Sequence, residues 1–178
     1  MSSRSLALAS LLILGCGGSN DVSDTAVGRH VFTSNVIALT LSDGGGSGLG
    51  PATPAAAPCS IGMVTYALTV PDRHLTWSRC LVANGGQQAS DYTVSTADRI
   101  LSEAEWQTLV PAFEGLVITD NKQCGADKDP VTVSVSTPAG KVDYEDGFYG
   151  CDQTHDKPLL SSDSIDTAAQ ALAGVAHP

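Results

Sequence analysis

IGMVTYALTVPDRHLTWSRCLVA, residues 61–83, decides the fold class. Val64, Tyr66, Leu68 and Val70 fall on one side of an extended chain while Thr65, Ala67 and Thr69 fall on the other, the two-residue period of a half-buried strand. Pro71 and Asp72 supply turn chemistry, and Leu75, Trp77 and Leu81 resume the alternation on the way back, so the stretch predicts a hairpin. A second hairpin follows the same logic. In VTVSVST (131–137) Val131, Val133 and Val135 alternate with Thr132, Ser134 and Ser136; after the turn at Pro138-Ala139-Gly140, Val142 and Tyr144 face in, and Lys141, Asp143 and Glu145 face out. DYTVSTADRI (91–100) and LVITD (116–120) add two further strands.

Between the two hairpins, Ser102 and Glu105 have capping-box spacing, and Leu101 and Trp106 have that of a hydrophobic staple. Trp106, Leu109, Val110 and Phe113 then share one helical face, and Pro111 predicts a kink or stop near Val110. In SSDSIDTAAQALAGV (161–175) Ile165, Ala168, Ala169 and Leu172 define a second helix that closes at Gly174. The expected fold class is α+β: an antiparallel sheet of two hairpins plus extra strands, with two helices packed on one face. Trp77, Trp106, Tyr144 and Phe148 are expected in its core rather than in a ligand-binding set, because they sit in the apolar half of each pattern. Upstream, HVFTSNVIALTLS (30–42) places Ile37, Leu39 and Leu41 in alternation, which predicts a strand. DGGGSGLGPATPAAAP (43–58), a linker or long surface loop, follows it.

The chain opens MSSRSLALASLLILGC, residues 1–16: one cation at Arg4, an apolar run from Leu6 to Leu14 too short to span a bilayer, then Gly15 and Cys16. This stretch resembles the signal peptide of bacterial lipoproteins. The resemblance implies cleavage before Cys16, acyl chains on its sulfur and amine, and an extracytoplasmic protein anchored to a membrane without crossing it. Gly17 stands where lipoproteins retained at the inner membrane carry Asp, which by the same resemblance implies the outer membrane. The domain division that follows is a signal peptide at 1–15, a lipidated tether at 16–29, a strand and a Gly/Pro/Ala-rich linker or loop at 30–58, and a disulfide-stabilised α+β domain at 59–178.

The 178 residues carry a net charge of −10, with nine Lys and Arg in all. That excludes an electrostatic footprint for nucleic acid or an anionic membrane surface. Cys59, Cys80, Cys124 and Cys151 are an even set in an exported chain, which implies disulfides. The hairpin turns predict Cys59 with Cys80 and Cys124 with Cys151; the crossed alternative joins Cys80 to Cys151 and Cys59 to Cys124. No closely spaced cysteine pair supports a zinc site.

Catalytic signatures are missing. Ser47 fails the nucleophile-elbow pattern by register, and His30, His74, His155 and His177 have no ligand spacing. DNKQCG (120–125) puts Lys122 and Cys124 where a calcium loop needs oxygen ligands. Asp143, Glu145, Asp146, Asp152 and Asp156 gather near the end of the second hairpin, where a solvated strand face is the favoured reading. Asp143, Glu145, Asp146 and Asp152 are weak calcium candidates, and a pair of catalytic carboxylates is the remaining option. No cofactor is expected. The expected function is a non-enzymatic binding or structural role, with membrane lipid held through acylated Cys16 and an unidentified protein or small ligand as partners. Tyr149 is the candidate partner contact. The alternatives are an inhibitor of an exported hydrolase acting through NGGQQAS (84–90) and an enzyme using the Asp143–Asp156 cluster.

Overall fold

The computed structural model describes residues 26–45, 52–125, 131–149 and 155–176. Its strands are β1 (Ala38–Asp43), β2 (Val64–Thr69), β3 (His74–Val82), β4 (Tyr92–Ile100), β5 (Ile118–Thr119), β6 (Gln123–Cys124), β7 (Val131–Thr137), β8 (Gly140–Asp146), β9 (Phe148–Tyr149) and β10 (Leu159–Leu160). The helices are α1 (Glu103–Glu114) and α2 (Ser162–Ala176). The fold is α+β. Eight strands form one sheet in the order β4-β3-β2-β1-β7-β8-β10-β5, and β6 pairs with β9 separately. Both predicted hairpins form, with Tyr66 opposite Trp77, Leu68 opposite Leu75, and Val133 opposite Tyr144. The sheet is not wholly antiparallel, because β10 runs parallel to β8.

The strand expected at 30–42 forms only over its second half, and it is the centre of the sheet. β1 lies between β2 and β7 and is antiparallel to both. Leu39 and Leu41 are nearly inaccessible. The folded unit therefore takes its central strand from before residue 59, and of the two readings of the Gly, Pro and Ala stretch it is the loop that fits, because 44–63 connects two paired strands. Ile37, expected to share the inner face, lies beyond the end of β1 and is exposed. The 16–29 tether also reaches the fold at its end: Gly28 donates to the Ile118 carbonyl, and Val31 to that of Leu116.

Directly opposed residues share a sheet face. The inner face carries Leu75, Leu68, Leu39, Val135 and Val142 in one row, and Trp77, Tyr66, Leu41, Val133 and Tyr144 in the next. Both helices pack there, contributing Leu109 and Phe113 from α1 and Ile165, Ala168 and Leu172 from α2. The outer face is the polar half of the same alternation. Across β3, β2, β1 and β7 it presents Thr76, Ala67, Thr40 and Ser134 in one row and Ser78, Thr65, Ser42 and Thr132 in the next.

α1 begins as expected. The Ser102 hydroxyl accepts from the Glu105 N–H while the Glu105 carboxylate takes the Ser102 N–H. Ser102→Ala should lower stability by about 1 kcal/mol, read from the urea unfolding midpoint. Pro111 does not end the helix, which continues to Glu114. Pro111 and Gln107 both lie on the solvent side, so the carbonyl that loses its donor is left to water. Trp106 is only partly buried: it packs against Phe32 and Phe113 with the Arg73 guanidinium over its ring. α2 likewise runs through Gly174, because burial of Val175 and Ala176 favours one more turn and Arg99 donates to the Val175 carbonyl.

Candidate functional site

Strand register sorts the connections by end. Asp43 pairs with Val64 and with Val131, Val64 pairs with Arg79, and Thr132 pairs with Glu145. The 44–63 and 83–91 loops, the segment entering β7 and the segment leaving β8 therefore all meet at one end of the sheet. The other end is closed by the tight turns at 70–73 and 138–139. Binding residues concentrate on loops held by a rigid scaffold, so the loop-bearing end is the candidate surface.

The necks of the 44–63 and 83–91 loops are locked. Cys59 and Cys80 form a disulfide, as expected from the hairpin, and this excludes the crossed pairing. Cys124 is disulfide-bonded too; its expected partner, Cys151, lies outside the described residues. Gly45 has φ +60°, and a Cβ there would sit 2.3 Å from the Ile61 carbonyl oxygen, so glycine alone lets the two sides of the 44–63 loop approach. In the 83–91 loop Ala83 donates to the Asp91 carbonyl, and the buried Tyr92 hydroxyl donates to that of Gly86 at 3.0 Å. A Cβ on Gly86, at φ +69°, would meet the Tyr92 hydroxyl at 2.7 Å. NGGQQAS is thus a fixed loop, and Asn84, Gln87, Asn121 and Gln123 stand exposed at this end. Each of these amides offers both a donor and an acceptor. Tyr149 also lies here, in β9, where it pairs with Cys124. Phe148 is not in the core as expected; its ring covers Gly125 beside the β6–β9 pair.

The acidic residues do not converge. Asp143 accepts from the Ser134 hydroxyl at 2.5 Å and lies 2.9 Å from the Lys141 ammonium, and these two contacts, the Ser134 one first, hold its carboxyl below its usual range. Burial raises the Glu145 carboxyl, but His155 Nδ1 at 2.7 Å and Lys157 Nζ at 3.0 Å more than offset this and hold it low. Asp143 and Glu145 share the outer face, whereas Asp146 is buried on the other and accepts from the Phe148 N–H at 2.9 Å. Asp156 is exposed, and Asp152 lies outside the described residues. Among the described residues no three His, Cys, Asp or Glu side chains are grouped to hold a metal. None of Asp143, Glu145, Asp146 and Asp156 lines either of two shallow hollows in the surface. One is lined by Arg29, His30, Val135, Val142 and Tyr144, and the other by Thr119, Asn121, Gln123, Ser161 and Asp163.

No protein-family model matches this chain, and no curated protein matches it. Sequence reading found the cysteines, the 83–91 loop and Tyr149 separately. What it missed is that the wide β1–β2 connection brings Gly45, Cys59 and their loop to the same end. The signal was the alternation at Leu39 and Leu41, whose partners could be known only from register.

The Glu145 contacts give a pH dependence. Its folded-state carboxyl titrates below its unfolded value, so its stabilising contribution is complete above about pH 4.5 and is lost as pH falls through the folded-state value. Glu145→Gln should flatten the acid limb of the stability curve by about 1 kcal/mol and leave the neutral plateau shape unchanged, read by thermal melts from pH 3 to 7.

Proposed function

We propose that this chain is an extracytoplasmic, non-enzymatic binding domain, tethered to a membrane by lipid on Cys16, that meets its partner through the loop-bearing end of the sheet. The observation that carries the reading is the convergence of four connections at one end, two of them with locked necks. The Cys59–Cys80 disulfide holds one loop, and the Tyr92–Gly86 hydrogen bond holds another. Loops ordered before contact lose little conformational entropy on binding, which is how a small scaffold gains affinity. The disulfide itself fits an oxidising, exported setting. The exposed amides at Asn84, Gln87, Asn121 and Gln123 suit a polar, uncharged partner surface. No described helix is long and apolar enough to cross a membrane, and the lipid on Cys16 would supply the attachment.

Site-specific photo-crosslinking in intact cells tests this. A probe at Gln87 or Ala56 should give adducts that one at Asp72 or Ala139, on the turn end, does not; equal labelling of both ends would remove the reading. The fixed 83–91 loop also favours a second reading, inhibition of an exported hydrolase, because inhibitory loops gain affinity from the same rigidity. A panel of proteases and lysozymes assayed with the purified full chain separates the two.

A further inference from the structure

The open edge of β4 has the chemistry of a pairing surface. β4 ends the sheet, and among the described residues no strand lies on its outer side. Leu101 donates to the Arg73 carbonyl and Ala83 to that of Asp91, which fixes the hydrogen-bonded pairs of the β3–β4 ladder. By the two-residue period, Thr93, Ser95, Ala97 and Arg99 turn their backbone groups to β3, and Val94, Thr96, Asp98 and Ile100 turn theirs outward. Protected edges carry proline, lysine or a bulge. YTVSTADRI has neither residue, and its register with β3 is continuous from Val82–Tyr92 to His74–Ile100. Its two charges within the paired stretch are already engaged by this chain: Arg99, on the inner face, with Glu105 at 2.6 Å, and Asp98, on the outer face, with His74 at 2.8 Å. Exposed apolar groups gather along this edge: Ile100 is 73% accessible and Val94 41%.

We propose that β4 pairs antiparallel with β4 of a second copy of this chain, about a two-fold axis through Ala97. Outward groups must meet outward groups, which limits the axis to a few positions. An axis through Asp98 would oppose two carboxylates. One through Thr96 would set Asp98 against Val94 and Ile100 against Tyr92, whose N–H already donates to the Ala89 carbonyl. With the axis at Ala97, Val94 faces Ile100 of the second copy and Thr96 faces its Asp98, so the exposed apolar pair is covered and a hydroxyl meets a carboxylate. On the inner face Ser95 then faces Arg99, and the small Ala97 faces itself, which allows close approach. Both sheets become one continuous sheet, and every outward backbone group from Val94 to Ile100 finds a partner. The pairing stands independently of the lipid anchor and of the loop-bearing end.

Residues at a two-fold in a non-hydrogen-bonded pair have Cα atoms about 4.5 Å apart, close enough for a disulfide. Full chain carrying Ala97→Cys, oxidised with copper phenanthroline in the producing cells and run on a non-reducing gel, should cross-link at least tenfold more than Thr93→Cys, which the register holds far from its own copy. Adding Thr96→Pro, which removes an outward N–H without touching the β3 ladder, should abolish that cross-link. Ile100→Lys should do the same, with far-UV spectra showing that each variant is folded. Cross-linking of Ala97→Cys no stronger than that of Thr93→Cys would overturn the proposal, as would a cross-link that survives both Thr96→Pro and Ile100→Lys.

Discussion

Phe113→Ala is expected to destabilise the domain by about 3–5 kcal/mol, the cost of removing a large ring from a site that cannot collapse. Phe113 is fully inaccessible, on the face of α1 that meets the sheet. Its ring centroid lies 5.2 Å from that of Phe32 and 6.5 Å from that of Trp106, so one truncation opens a cavity where the N-terminal segment, α1 and the sheet meet. In a domain of this size each kcal/mol moves the midpoint by roughly 2–4 °C, so the melting temperature should fall by about 10 °C. Trp106→Ala should cost visibly less, because that ring keeps one side in water. Equal losses at the two positions, read by calorimetry, would mean that the aromatic cluster is not organised around Phe113.

The second large effect is expected from the Cys59–Cys80 bridge. Replacing both cysteines by Ala should cost roughly 3 kcal/mol, because the bridge closes a 21-residue separation and so restricts the unfolded chain. The structural consequence should be local. Cys80 lies on β3 where it runs on past β2, and Met63 accepts a hydrogen bond from the Cys80 N–H. Hydrogen exchange in the double variant should therefore quicken over 52–63 and leave β7 and β8 protected. Uniform loss of protection would place the bridge in the global core instead.

Much of the fold was legible because its hairpins are local. Tyr66 opposite Trp77 and Val133 opposite Tyr144 follow from alternation about a visible turn, and the Ser102–Glu105 cap follows from spacing alone. The central place of β1 was not legible. Its pairing with β7 joins Leu39 to Val135 and Leu41 to Val133 across most of the domain, and its hairpin with β2 is hidden by a connection longer than the ~15 residues usual in a compact fold. Such a connection is tolerated because loop-closure entropy grows only slowly with length. β5 was read within LVITD, but β6, β9 and β10 span two residues each, too short for any period to register, and the parallel β8–β10 contact rests on such a segment. Pro111 misled for a definite reason: its cost depends on which side of the helix it faces, and it faces water. At the candidate site the residue types were readable, but their meeting at one end depends on strand register.

The most direct test of the proposed tethered domain is the intact mass of the mature protein and of its N-terminal peptide. The mature chain is expected to begin at Cys16, to carry acyl chains on its sulfur and amine, and to partition into detergent. Cys16→Ala should release the protein into the aqueous phase. An unmodified chain beginning at another residue would contradict the proposed tether.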